Sequence, residues 1–499
     1  MKKIILLSLL LGWIIFPLSA QIKIDLNELT VDKPIKIDFK EFTLDNGLHV
    51  IMHQDNTTPL VATNLLYHVG SKNENPERTG FADLFSNLMF EGTENIERGQ
   101  YKNIIRSKSG TLGARSNQDF TNYFALLPSN ELELALYMES ERMLHAKVDW
   151  TGVEKELNLK EVNMRRVENQ PYSSILPETM KRAYTTHPYQ WTPSGSINQL
   201  NEATLEEFQQ FYKDFYVPNN VTLTIAGDID YVTTESMVRK YFSEIPKGTK
   251  PIYRPTITEP KKTAEVRDII YDNIQTPAVI QAYNLPPRNH PDSHALYLLS
   301  TYLTGGNSSL MYKELVEKQQ KASRLSATLL ELEDGGLFII EGRTNMGRDA
   351  RDVAAERNEF IYKLGKGSGM SDEDTDKLLK IMANDMYADN KLGIDPKELD
   401  TEIDRLIKQV QEQGISEEEL TKLKNIMEYQ MVKDNYSLLQ LLARDLVEAK
   451  VIFEDTNYIN QVIEARAKVT KEDIQRVAKT YLDLNGRVVL YYLPKSVNQ

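Results

Sequence analysis

The sequence predicts an α+β protein of two homologous halves, each a mainly antiparallel sheet with helices packed on one side. Three observations predict it. The chain has 499 residues, too many for one ordinary core and comfortable for two. A capped helix that runs into a strand occurs twice, once late in each half. Strand-like and helix-like segments follow one another in mixed order through both copies, which is the pattern of an α+β layer.

The late repeat is the sharpest of these. Residues 204–219 align without gaps on residues 470–485. Both copies open with a capping box, Thr204 with Glu207 and Thr470 with Asp473, in which hydroxyl and carboxylate satisfy orphan amides reciprocally. Each helix leads to a strand, Val221 to Ala226 and Val488 to Leu493. Earlier, Thr58-Pro59-Leu60-Val61 pairs with Thr276-Pro277-Ala278-Val279, each in a strand-like segment. The helix Ala82 to Phe90, stopped by Gly92, pairs with Ala295 to Leu303, stopped by Gly305. The offset is 213 at the glycines and 266 at the threonines, so the second half carries about 53 extra residues. They are expected as a helical excursion or lid near 346–395.

The expected organisation is therefore a first half at 39–250, a linker at 251–265 and a second half at 266–495. The linker is rich in Pro, Thr and Lys and has no apolar period. Residues 1–20 read as a signal peptide: Lys2 and Lys3, an apolar run from Ile4 to Pro17, then Leu18-Ser19-Ala20 as a cleavage site. The run is short for a membrane span, and 21–38 follow as an N-terminal extension. Export to a periplasm, free or at the outer membrane of a Gram-negative-type envelope, is the expected location.

Composition narrows the chemistry. A net charge of −13 with no basic run argues against nucleic acid, which needs clustered positive charge. The chain has no cysteine, which removes disulfides, thiolate nucleophiles and thiolate metal sites together. A transition metal would have to use carboxylates and the seven histidines.

Residues 79–93 hold the most informative helix. Phe81, Leu84, Phe85, Leu88 and Met89 make an apolar stripe, and Asp83, Ser86 and Asn87 share the polar face at i, i+3 and i+4. The frame Thr79-Gly-Phe-Ala-Asp83-Leu-Phe-Ser86-Asn87-Leu-Met-Phe-Glu-Gly-Thr93 resembles the zinc helix of the pitrilysin/insulinase peptidases, with the inverted motif His-x-x-Glu-His. The resemblance runs from about Phe39 to Pro494 and includes Leu44-Asp-Asn-Gly-Leu48 and Pro218-Asn-Asn-Val-Thr-Leu-Thr-Ile-Ala-Gly-Asp228. It implies a fold like that of the mitochondrial processing peptidase. In such enzymes the two His bind zinc and the Glu deprotonates a metal-bound water. Here Asp83 and Asn87 stand at the His positions and Ser86 at the base, so the motif is degenerate.

The resemblance also implies a third ligand, a downstream Glu with a supporting Glu seven residues before it. Glu161 and Glu154 fit that spacing, two helical turns apart, and are expected as residual positions. Asp83, Asn87 and Glu161 offer oxygens that suit a hard cation at best, and Ser86 has no basicity near neutral pH. A solvated or internally bonded polar face is the plainer expectation, with no cofactor. Zinc belongs only to the alternative of an active metallopeptidase with an altered site. Other histidines do not compensate: His49 and His53 are too far apart along one strand, and Pro291 sets His290 outside the helix of His294. His68, His145 and His187 are isolated.

The family's second half usually carries an Arg and a Tyr, seven apart, that steady the substrate. Val316 and Ser323 stand there, Arg324 is one residue late, and Tyr312 belongs to the packing pattern. The expected role is thus a catalytically inactive subunit that supports a homologue with an intact zinc helix or binds extended peptides. An envelope scaffold unrelated to proteolysis is the remaining alternative.

Overall fold

In a computed structural model, residues 36–345, 362–363, 370–375, 377, 394–437 and 439–495 are described. The expected signal peptide, most of the N-terminal extension and most of the expected insertion near 346–395 lie outside the described residues.

The duplication is visible in the order of the strands. The first sheet contains β1 (Lys40–Thr43), β2 (His49–Gln54), β3 (Leu60–Tyr67), β4 (Thr111–Ser116), β5 (Thr121–Pro128) and β6 (Val221–Gly227). The second contains β7 (Val266–Asp272), β8 (Ala278–Asn284), β9 (Ala322–Leu330), β10 (Leu337–Thr344) and β11 (Arg487–Pro494). Their orders are β1-β2-β6-β3-β5-β4 and β7-β11-β8-β10-β9, the same path with β1 added at one edge. Each sheet has one parallel pair, β2 with β6 and β7 with β11, and is otherwise antiparallel. The mainly antiparallel α+β halves expected from sequence are present.

Fourteen helices of the described residues cover these sheets. The first half has α1 (Phe81–Leu88), α2 (Tyr101–Ser107), α3 (Leu132–His145), α4 (Trp150–Glu168), α5 (Ile175–Ala183), α6 (Ile197–Asn201), α7 (Leu205–Phe215) and α8 (Tyr231–Phe242). The second has α9 (Ser293–Thr304), α10 (Pro396–Gln413), α11 (Glu417–Ser437), α12 (Leu439–Phe453), α13 (Tyr458–Ala467) and α14 (Lys471–Tyr481). Both capping boxes form, at the starts of α7 and α14. Helix α1 ends at Leu88, ahead of Gly92, whose φ of +142° serves the turn that follows. A side chain there would meet the Ile96 carbonyl oxygen.

Each half packs its own helices on one sheet face. Phe85, Leu88, Phe208 and Phe211 meet Val50, Leu65 and Leu223 in the first core. Leu299, Ile403, Ile474 and Val477 meet Val279, Phe338 and Val489 in the second. The opposite faces carry one feature that sequence did not disclose. Helix α12, from the second half, lies on the first sheet, where Ala443 meets Ala62 and Ala226 and Leu446 meets Ile51. Helix α5, from the first half, lies on the second sheet, where Met180 and Ala183 meet Ile280, Val488 and Leu490. The halves thus exchange helices and bury apolar faces that neither could cover alone.

A polar joint adds to this exchange. The β9–β10 turn carries Glu333 and Asp334 into the first half, where the buried Lys72 ammonium donates to both, at 2.7 and 2.8 Å. Asp119 lies 3.1 Å from the same ammonium, and its other oxygen accepts the Glu333 amide at 3.0 Å. Tyr189 donates its hydroxyl to Asp119, and His68 reaches Glu333 at 2.8 Å.

Candidate functional site

Helix α1 is set by its N-terminus. Gly80 precedes it with φ +100°, where a side chain would press on the Ser194 carbonyl oxygen. The amides of Gly80 and Ala82 donate to the two oxygens of Glu74, each at 2.8 Å, so a buried carboxylate caps the helix from outside. Burial pushes the Glu74 carboxyl up to about 8, against the pull of those amides and of Lys160.

Helix α4 crosses beside it. Asp149 caps α4 by accepting the Gly152 amide at 2.9 Å. Gly152 lets the helices approach, since a Cβ there would sit 3.2 Å from a methyl of Leu88. The buried stripe of α4 is Gly152, Val153, Glu156, Leu157 and Lys160.

That stripe sets what α1 faces. The Lys160 ammonium pairs with the Asp83 carboxylate; the lysine side chain is 8% exposed and the aspartate 34%. Ser86 is buried and donates its hydroxyl to the Asp83 carbonyl oxygen at 2.7 Å. Asn87 is exposed and leans its amide toward Ser86 Oγ at 3.4 Å. The expected internally bonded polar face is therefore what α1 presents, with one addition, the lysine.

Glu154 and Glu161 lie elsewhere. Glu154 is exposed, and Glu161 accepts from Arg165 at 2.5 Å one turn along the same helix. The two share a flank of α4, as their spacing required, but neither lines the cleft beside α1. The seven-residue pair on the near flank is Glu156 and Asn163, with Lys160 between them. Burial and the Glu91 carboxylate push Glu156 up. The carboxylate spacing points to Glu154 and Glu161. The apolar period of Val153 and Leu157, followed onward to residue 160, was the signal that would have found Lys160.

These side chains line a cleft of about 710 Å³ between α1, α4, the start of α5, the loop at 192–195 and Asp272 at the end of β7. Its walls include Leu84, Leu159, Met164, Val167 and Pro177. Val316 and Ser323 do not reach it. Val316 sits in a π-helical turn, Tyr312–Lys318, and packs against the second core. Ser323 donates to the Thr344 carbonyl oxygen at 3.0 Å, and Arg324 is exposed in the same strand.

The donors present do not fit zinc. Asp83 is already neutralised by an ammonium, the Ser86 hydroxyl points back to its own helix, and no imidazole lines the cleft. His49 bonds Thr43 and Glu41, and His53 bonds the Asp38 carbonyl oxygen. His290 accepts the Asp292 amide ahead of α9, outside the helix that holds His294. Among the described residues no three His, Asp or Glu side chains converge as metal ligands would.

The structure defines the class as a two-domain, duplicated α+β fold with a cleft between the first-half helices and the end of β7. Residues 49–192 match the sequence profile of the insulinase family, peptidase family M16, and residues 202–382 match that of the M16 inactive domain. The chain belongs to peptidase family M16. It is similar to the zinc protease PqqE of Helicobacter pylori, 29% identical over 338 residues that make up 67% of this chain and 76% of that protein. An uncharacterized zinc protease of Bacillus subtilis, YmxG, is 21% identical over 306 residues, 60% of this chain and 72% of its own. A crystal structure of a protease from Helicobacter pylori superposes with a TM-score of 0.79 at 22% identity, covering 92% of this chain and all of that one. The M16 inactive domain from Pseudomonas fluorescens gives 0.73 at 17% identity, covering 92% and 98%.

Proposed function

We propose that this chain is a non-catalytic member of the M16 family, which holds extended peptides and supports a homologue that keeps the zinc helix. One observation carries the reading: the carboxylate that α1 offers at the first motif position is paired with Lys160. A metal ion would have to displace that ammonium from Asp83. Neither residue considered as a base is placed for it: Ser86 is bonded to its own helix and Glu154 does not line the cleft. The same geometry disfavours an active peptidase with Glu154 as base, so no cofactor is expected.

Export accompanies this reading. Lys2, Lys3 and the apolar run to Pro17 support it, and no described helix is long and apolar enough to cross a membrane. A periplasmic location would put the chain beside envelope peptidases. The −13 charge keeps nucleic acid out of the list of partners.

The test has two arms. Purified chain, with zinc chloride added, is incubated with unfolded casein; no cleavage is expected, and chelator-sensitive cleavage would overturn inactivity. Mild crosslinking in the native envelope, followed by pull-down, is expected to recover a homologue with an intact His-x-x-Glu-His helix. Recovery of envelope assembly proteins alone would favour a scaffold.

A further inference from the structure

We infer that Lys160 is a cation built into the chain in the metal's place, and that it holds a main-chain carbonyl of a peptide lying in the cleft. This rests on the peptide-holding reading above and adds the residue and the ligand chemistry.

The argument starts from donor count. An ammonium carries three N–H donors. Among the described residues Lys160 hydrogen-bonds one partner, Asp83, although its side chain is only 8% exposed. Glu74 also lies nearby, but both its oxygens serve the Gly80 and Ala82 amides. The remaining N–H donors must find their acceptors on the cleft side, in water or in a ligand that displaces it. Lys160 is a lining residue, so the cleft is where that acceptor lies.

Charge selects the acceptor. Asp83, Glu156, Glu168 and Asp272 line the cleft against the single ammonium. Such a site repels a free carboxylate or phosphate and admits a neutral carbonyl or a cationic chain. Leu84, Leu159, Met164 and Val167 give the walls an aliphatic character, suited to a leucine-like side chain beside that carbonyl. The ligand is therefore an extended neutral or basic peptide with an aliphatic residue. The ammonium polarises its carbonyl, and with Asp83 paired to it and Ser86 bonded to its own helix neither motif position supplies a base, so the peptide is held and left intact.

The test uses the mature full-length chain and an end-blocked, fluorescein-labelled ten-residue peptide of Leu, Gly and Lys, read by anisotropy. A twin peptide carries Glu in place of Lys. Wild type is expected to bind the basic peptide and to bind the acidic twin roughly tenfold more weakly. Lys160→Met should weaken the basic peptide by about tenfold, as expected for loss of a charge-assisted hydrogen bond, while Lys160→Arg keeps most of the affinity. The double variant Lys160→Met with Asp83→Asn removes both charges. It should melt cooperatively and still bind weakly, which separates the lost donor from an unpaired carboxylate. Wild-type affinity in a folded double variant overturns the inference alone. Tighter binding of the acidic twin overturns the charge selection. No binding by wild type overturns the peptide-holding reading and this inference with it. Saturable uptake of zinc chloride by wild type, seen by calorimetry and competing with the peptide, overturns the metal replacement.

Discussion

Lys72 and Lys160 are both buried lysines facing carboxylates, yet their surroundings differ in one countable respect. Lys72 is 3% exposed and meets three carboxylates, Asp119 from the first half and Glu333 and Asp334 from the second. Lys160 meets one, Asp83, and borders open volume. An ammonium enclosed by three carboxylates is a fixed joint. One with donors to spare is a surface prepared for something else. Burial alone does not distinguish them, whereas the count of acceptors does.

The largest effect should come from breaking the saturated joint. Lys72→Met leaves three inward-facing carboxylates without their cation and should cost about 3–5 kcal/mol in urea unfolding. A loss below about 1 kcal/mol would show that the joint adds nothing to the exchange of α5 and α12.

Acid should open the same joint. Against the upward push of burial, His68 beside Glu333 and His187 beside Asp334, together with the Lys72 ammonium, hold both turn carboxyls down at about 2. Their folded values lie below the ordinary 4.5 and 3.8, so their stabilisation is complete above that range and is lost as pH falls toward 2. Asp119 runs the other way, because complete burial pushes it up despite Lys72. Wild type should therefore lose a few kcal/mol between about pH 4.5 and 2 in urea titrations. Glu333→Gln with Asp334→Asn should flatten that slope; an unchanged slope would place the acid-sensitive groups elsewhere.

What sequence disclosed and what it hid divide along the same line. The capping boxes of α7 and α14, the paired strands and the polar triplet of α1 are local patterns, readable within a few turns of chain. The joint links Lys72 to residues more than 260 positions away, and the exchange of α5 and α12 is a matter of which half covers which sheet. Neither leaves a periodic trace. Lys160 is an intermediate case. Its place on the buried stripe follows from helical period, while the spacing of Glu154 and Glu161 draws the eye to a flank that does not line the cleft.

Breaking the unsaturated pair should matter far less to stability. Asp83 is about a third exposed, so water can solvate it once the ammonium is gone. Lys160→Met should cost about 1 kcal/mol or less in the same urea assay, even as peptide affinity falls. A cost near that of Lys72→Met would put both lysines in one class and remove the distinction between joint and binding surface.

The smallest effect is expected where the family spacing first pointed. Glu161 and Arg165 form an exposed pair one turn apart, a geometry that adds little because water competes for both charges. Glu154→Ala and Glu161→Ala should each shift stability by no more than about 0.5 kcal/mol and leave peptide anisotropy at the wild-type value. Asn163→Leu, on the near flank beside Lys160, should change the peptide signal while shifting stability just as little. If Glu161→Ala weakens binding and Asn163→Leu does not, the cleft uses the other flank of α4, and Lys160 is a second joint instead of a binding surface.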